Sequence, residues 1–243
     1  PNFYHNKPLV NFMTLQAISK GFEYYKKFGL NFTFKILPLV FLFGFLASIG
    51  SSSKLSDGIS NFDIALLLIN NFLISPLLTI IAIFIANDLI DNKNRDVLVY
   101  YAISWQFLLK VLILSLISSL CIGVGLLLFV VPGILIAGLL IFVNYFAILE
   151  DKSVSESLNL SWVKSKLNFY QCILMAGFFW FITILTITVL SAISEGYDEL
   201  SQISQTYTII SSSLAIYIQV CLISFPILIF YKNLSLNKIE DSV

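Results

Sequence analysis

Few side chains in this 243-residue sequence could do chemistry, and where they fall limits what that chemistry could be. The one histidine, His5, sits in a polar N-terminal stretch, so neither a His-based metal site nor a Ser-His-Asp triad can be assembled in the apolar body of the chain. Cys121, Cys172 and Cys221 are widely separated and each lies inside a long apolar run, which is the habit of small packing residues and not of a metal or disulfide framework. Four amides, Asn70, Asn71, Asn144 and Gln219, interrupt those runs. They are the candidates for lining a cavity, and the same groups could instead hydrogen-bond between neighbouring helices. No Asp, Glu or Lys pair appears at the middle of a run, which disfavours a proton-coupled pump, and Asp88 stands only near the end of the second. No metal and no cofactor are expected.

The elements that would position these groups follow from composition. Hydrophobic residues make up 58% of the chain and charged ones 12%, with a mean hydropathy of +0.91, so the natural solvent is lipid. Apolar runs long enough to cross about 30 Å of hydrocarbon as helices, roughly 20 residues each, occur at Phe32–Ile49, Ile64–Ala86, Leu108–Val130, Gly133–Leu149, Phe169–Ile193 and Tyr207–Tyr231. A β-barrel needs alternating strands, whereas Leu126-Leu127-Leu128-Phe129-Val130 is apolar on every face. The helix is the remaining way to satisfy the backbone in lipid. The expected fold is an all-α membrane protein, one polytopic domain over residues 1–243 with six transmembrane helices.

Orientation follows from the basic residues, which are retained on the cytoplasmic side. Thirteen of fourteen, among them Lys7, Lys20, Lys26, Lys27, Lys35, Lys93, Arg95, Lys110, Lys152, Lys164, Lys166, Lys232 and Lys238, fall on one side of the six spans. Only Lys54 falls on the other, where Glu195, Asp198 and Glu199 also lie. Both termini are therefore expected in the cytoplasm. The zero net charge hides a dipole across the membrane and points to no nucleic-acid partner. Residues before Phe32 are polar and basic without a cleavage signal, so the first span is expected to be retained.

Three segments beside the spans read as short interfacial amphipathic helices. In the first, Leu15, Ile18, Phe22 and Tyr25 recur at helical spacing while Lys20 and Lys27 face elsewhere. The second, Asp96 to Phe107, carries Trp105 at the depth an indole prefers. The third opens with Ser153-Val154-Ser155-Glu156, the spacing of a capping box, places Val154, Leu158 and Trp162 on one face, and is flanked by Lys164 and Lys166. Each precedes two spans, and Ala17-Ile18-Ser19-Lys20-Gly21-Phe22, Ala102-Ile103-Ser104-Trp105-Gln106-Phe107 and Leu160-Ser161-Trp162 suggest a threefold internal repeat.

Between the third and fourth spans, Val130-Val131-Pro132-Gly133 leaves almost no loop, so Pro132 and Gly133 are expected to form a sharp helix-hairpin turn. One long broken helix that only dips into the membrane is the competing reading. Pro38, Pro76 and Pro226 would kink three spans.

The stretch from Gly123-Val124-Gly125 through Val131-Pro132-Gly133-Ile134, then Glu150-Asp151-Lys152, Ser155-Glu156-Ser157-Leu158 and Ser161-Trp162, resembles the signature of the YciC-like bacterial inner-membrane proteins. It is also similar to the membrane domain attached to some glycerophosphodiester phosphodiesterases. The resemblance implies a multi-pass protein of a bacterial inner membrane and supplies no catalytic residues. Two functions stand open. One is a non-enzymatic role in envelope homeostasis or lipid organisation, or as the integral subunit of a larger assembly; membrane lipids, a protein partner or a second copy of the chain would be its partners. The other is carriage of a small or lipid-like substrate through a cavity lined by the four amides.

Overall fold

The computed structural model describes residues 11–52, 61–93, 95–195 and 201–240. His5, Lys7, Lys54, Asp198 and Glu199 lie outside them, as do the side chains of Glu195, Cys221 and Lys238. Among the described residues every regular element is a helix, and six helices are long and apolar enough to cross a membrane. The first is α1 (Asn11–Ser52). The second joins α2 (Asn61–Ile69), a π-helical turn (Asn70–Ile74) and α3 (Ser75–Ile90). The third is α4 (Val97–Leu128), and the fourth combines α5 (Val130–Leu139) with α6 (Val143–Leu149). A short helix α7 (Val154–Leu167) precedes the fifth, α8 (Phe169–Glu195), and the sixth is α9 (Ser201–Glu240).

The core forms around α3, whose Leu78, Ile80, Ile81 and Ile85 are fully buried against Phe32 and Ile36 of α1, Phe142 and Phe146 of the fourth helix, and Phe225, Leu228 and Phe230 of α9. On the periphery, Leu120, Leu127, Phe129 and Phe181 stand out from the bundle. In water such a surface would drive association, but against lipid tails it has no penalty.

The three amphipathic segments differ from expectation. Those before the first and third spans are not separate helices: α1 and α4 run through them unbroken, α1 taking Gly29 and Asn31 into the helix, and no proline stands between segment and span in either. Only the third is a helix of its own. Thr14, Ala17 and Gly21 of α1 are buried while Leu15 is 65% exposed, and Ser104 is buried beside an exposed Trp105. In α7 it is Ser157, Ser161 and Ser165, spaced by four, that are fully buried, with Trp162 turned out. Small residues let helix backbones approach, and large apolar ones face the lipid.

The turn between α4 and α5 also sits elsewhere than expected. A single extended residue, Phe129 (φ −165°, ψ 158°), makes it, and Pro132 and Gly133 lie inside the first turns of α5. Proline costs nothing there, since the first N–H groups of a helix have no intrahelical acceptor. Gly133 instead permits close packing: a Cβ built on Gly125 would lie 2.9 Å from the Gly133 Cα. The chain folds back on itself here and does not continue as one broken helix.

Between α5 and α6 the helix is interrupted at residues 140–142, and Ser161 repairs the gap. Its hydroxyl donates to the Leu139 carbonyl at 2.9 Å and accepts from the Phe142 N–H at 3.3 Å. In lipid these two groups have no water to turn to. Ser161→Ala leaves both without a partner and is expected to cost about 1–3 kcal/mol, read as a lowered thermal midpoint in detergent.

The start of α7 is fixed by a capping box. The Ser153 hydroxyl accepts from the Glu156 N–H, and the Glu156 carboxylate accepts from the Ser153 N–H at 3.0 Å. Hydrogen bonds from the Ser153 backbone and hydroxyl hold the Glu156 carboxyl below its usual range. A lowered folded-state value means the cap is whole at neutral pH and weakens as pH falls through that value. Amide exchange in the first turn of α7 is therefore expected to speed up on acidification, and Glu156→Gln should remove most of that dependence.

Candidate functional site

One end of the bundle gathers the charged groups. The Asp88 carboxylate at the end of α3 is buried, 3.0 Å from the Arg95 Nε, and accepts from the Tyr100 hydroxyl at 3.0 Å. Lys35 of α1 is buried above them, donating to the Arg95 carbonyl at 3.1 Å with its ammonium 5.1 Å from the Tyr100 ring centroid. Buried charge survives only when paired in this way.

Beside this cluster, two turns of matching sequence dock on α9. Asp91-Asn92-Lys93 follows α3 and Glu150-Asp151-Lys152 follows α6; Asn92 (φ 54°) and Asp151 (φ 49°) both take the left-handed conformation that Asn and Asp tolerate at helix ends. The acid that opens each turn reaches α9 at consecutive residues. Glu150 accepts from the Tyr231 hydroxyl, and Asp91 pairs with Lys232 at 2.5 Å. Lys110 of α4 closes the layer by pairing with Asp151 at 2.6 Å. The internal likeness that the structure displays is thus between two turns, and its signal in the sequence is an acid, an Asn or Asp, and a Lys directly after the second and fourth spans.

The side chains expected at an interface stand outside the packed core. Lys20, Lys27, Trp105, Trp162 and Lys166 are exposed, and Phe22 is at the margin of exposure, while Lys164 is half-buried with its ammonium 5.9 Å from the Phe146 ring. Next to this surface a groove of about 610 Å³ runs between α1, α5 and α8. It is lined by Leu15, Ile18, Ile134, Ile173, Leu174 and Phe178, with Thr14 and Gly177 completing it. The outer stripe of the first amphipathic segment is therefore one wall of an aliphatic groove, two residues from Lys20. A Cβ built on Gly177 meets nothing within 4 Å, so that wall is open where the glycine sits.

No family model, curated protein or solved structure matches this chain.

The four amides separate into pairs. Asn70, buried at the start of the π-helical turn, donates to the Phe43 carbonyl of α1 at 3.2 Å, and Asn71 donates to the Leu67 carbonyl of its own helix at 2.8 Å and faces outward. The N–H groups of these two are engaged within the protein, while the buried Asn70 side-chain carbonyl has no hydrogen-bond partner. Asn144 of α6 and Gln219 of α9 are brought together on a second cavity, of about 270 Å³, between α3, α6 and α9. Among the described residues, no group of three or more His, Cys, Asp or Glu is arranged to hold a metal ion. Cys172 is buried in the core and Cys121 is exposed on α4.

Proposed function

We propose that the chain is a non-enzymatic multi-pass protein of a bacterial inner membrane, of the YciC-like kind its sequence resembles, which holds or arranges phospholipid, alone or as a subunit of a larger assembly. Both termini lie in the cytoplasm, and the charged layer of Lys35, Asp88, Arg95, Glu150 and Lys232 marks the cytoplasmic end of the bundle. The observation that carries the reading is the aliphatic groove between α1, α5 and α8. An acyl chain fits the apolar walls, and basic residues at the inner leaflet attract anionic headgroups at about 1 kcal/mol each. The exposure of Phe22, Trp105 and Trp162, with lysines near them in the sequence, supports an interfacial position for the three segments.

Gly177 gives the test, because it lines the groove and a Cβ built on it meets nothing within 4 Å. In nanodiscs the wild-type midpoint is expected to be higher with phosphatidylglycerol than with phosphatidylcholine. Gly177→Phe is expected to abolish that difference without lowering the midpoint in phosphatidylcholine, since exchanging glycine inside a helix is favourable by up to about 1 kcal/mol. Equal midpoints in the two lipids for the wild type would remove the reading's support.

A further inference from the structure

The cavity between α3, α6 and α9 is where the helices of this bundle are broken. The π-helical turn Asn70–Ile74 ends at Ser75, which lines it. The gap at 140–142 lies between α5 and α6, and Ile141 within that gap and Asn144 and Tyr145 just after it line the cavity. Pro226, which removes a backbone N–H from α9, is flanked by the lining residues Ser224 and Ile227. Two interruptions of regular helix and a proline within the unbroken α9 thus meet on one space, the arrangement in which membrane helices expose polar backbone and side chains to a ligand.

The polar groups there are uncharged hydroxyls and amides. Tyr145 donates to the Ser224 carbonyl at 3.4 Å, Ser224 to the Val220 carbonyl at 2.6 Å and Thr79 to the Ser75 carbonyl at 3.1 Å, so those hydroxyls are engaged within the protein. Asn144 and Gln219 are not: among the described residues neither has a hydrogen-bond partner. Each offers a carbonyl acceptor and two N–H donors. No charged side chain lines the cavity. An ion entering it would leave its charge uncompensated in an apolar bundle, whereas a neutral molecule with both donors and acceptors would satisfy the two amides.

We propose that this cavity is a binding site for a small uncharged solute that both donates and accepts hydrogen bonds, a carboxamide or a polyol, held between the Asn144 and Gln219 side chains. Its volume of about 270 Å³ equals roughly nine waters at about 30 Å³ each, which limits the solute to the size of a small polyol. The site is separate from the aliphatic groove and stands whether or not that groove takes lipid.

The test is saturation-transfer NMR on the full chain in nanodiscs, with glycerol and acetamide as uncharged probes and acetate and methylammonium as charged ones. Transfer to glycerol or acetamide, with at least tenfold less in Asn144→Leu and Gln219→Leu and none to the ions, is the expected result. The two variants should melt no lower than the wild type, because replacing an unpartnered amide by an apolar group of similar size removes a burden and no contact. A fall in midpoint would instead show that the amides are structural, and the proposal would fail. It would fail equally if neither uncharged probe gave transfer, which would leave water alone as the occupant, or if the ions or the leucine variants gave as much.

Discussion

Asp88→Asn is expected to destabilise the protein by about 3 kcal/mol, the lower end for breaking a buried ion pair. The carboxylate is 2% exposed and receives Arg95 and Tyr100 at 3.0 Å each, with Lys35 lying over the Tyr100 ring. An asparagine keeps the shape but leaves two cations facing one another across an amide. Arg95 is partly open to water and can swing away, which is why the effect belongs at the lower end. The measurement is the thermal midpoint in detergent, together with protease sensitivity of the turn between α3 and α4. A midpoint unchanged within error would mean that the cluster contributes nothing to holding that end together.

The second large effect concerns the interface of α1 with α9, where two glycines bring the helices into contact. A Cβ on Gly21 would lie 2.5 Å from the Pro226 Cγ. A Cβ on Gly44 would strike the Ser213 hydroxyl and stand 2.5 Å from the Ile209 carbonyl oxygen. The backbone obstacle decides the matter, since a side chain can rotate away and a helix carbonyl cannot. Gly44→Leu must push α1 and α9 apart, and a loss at or above the usual 1–3 kcal/mol of overpacking is expected. Gly123→Leu on α4 supplies the control: nothing lies within 4 Å of its built Cβ, so no loss is expected, and a gain of up to about 1 kcal/mol from helix propensity is allowed. Equal effects from the two would contradict the packing described for α1 and α9.

These residues mark how far the sequence could be read. Runs of apolar residues identify the six long helices, because in lipid length and hydropathy are themselves the physical requirement. The amphipathic stripe shows only the outer face: Leu15, Phe22 and Trp162 read as residues of the interface and are exposed. In the bundle the small residues beside them, Ala17, Gly21 and Ser161, pack inward. The turn at Phe129 was hidden for another reason, since proline reads as a break when it is in fact a comfortable member of a first turn. Of the matched turns after α3 and α6, only Glu150-Asp151-Lys152 is singled out by the sequence. The joint destination of the two turns, Tyr231 and Lys232, was not legible, because no local pattern tells which helix an acid will meet. Of the four amides, sequence alone could not divide Asn70 and Asn71 from Asn144 and Gln219, a division set by which faces the π-helical turn and the gap at 140–142 present.

The most direct test of the lipid-holding role is native mass spectrometry of the full chain purified in a mild detergent and washed repeatedly. The account predicts a persistent phospholipid adduct, enriched in anionic species, on the wild type and its loss in Gly177→Phe. A wild-type chain that flies without lipid, or an adduct that survives unchanged when the groove is filled, would contradict it.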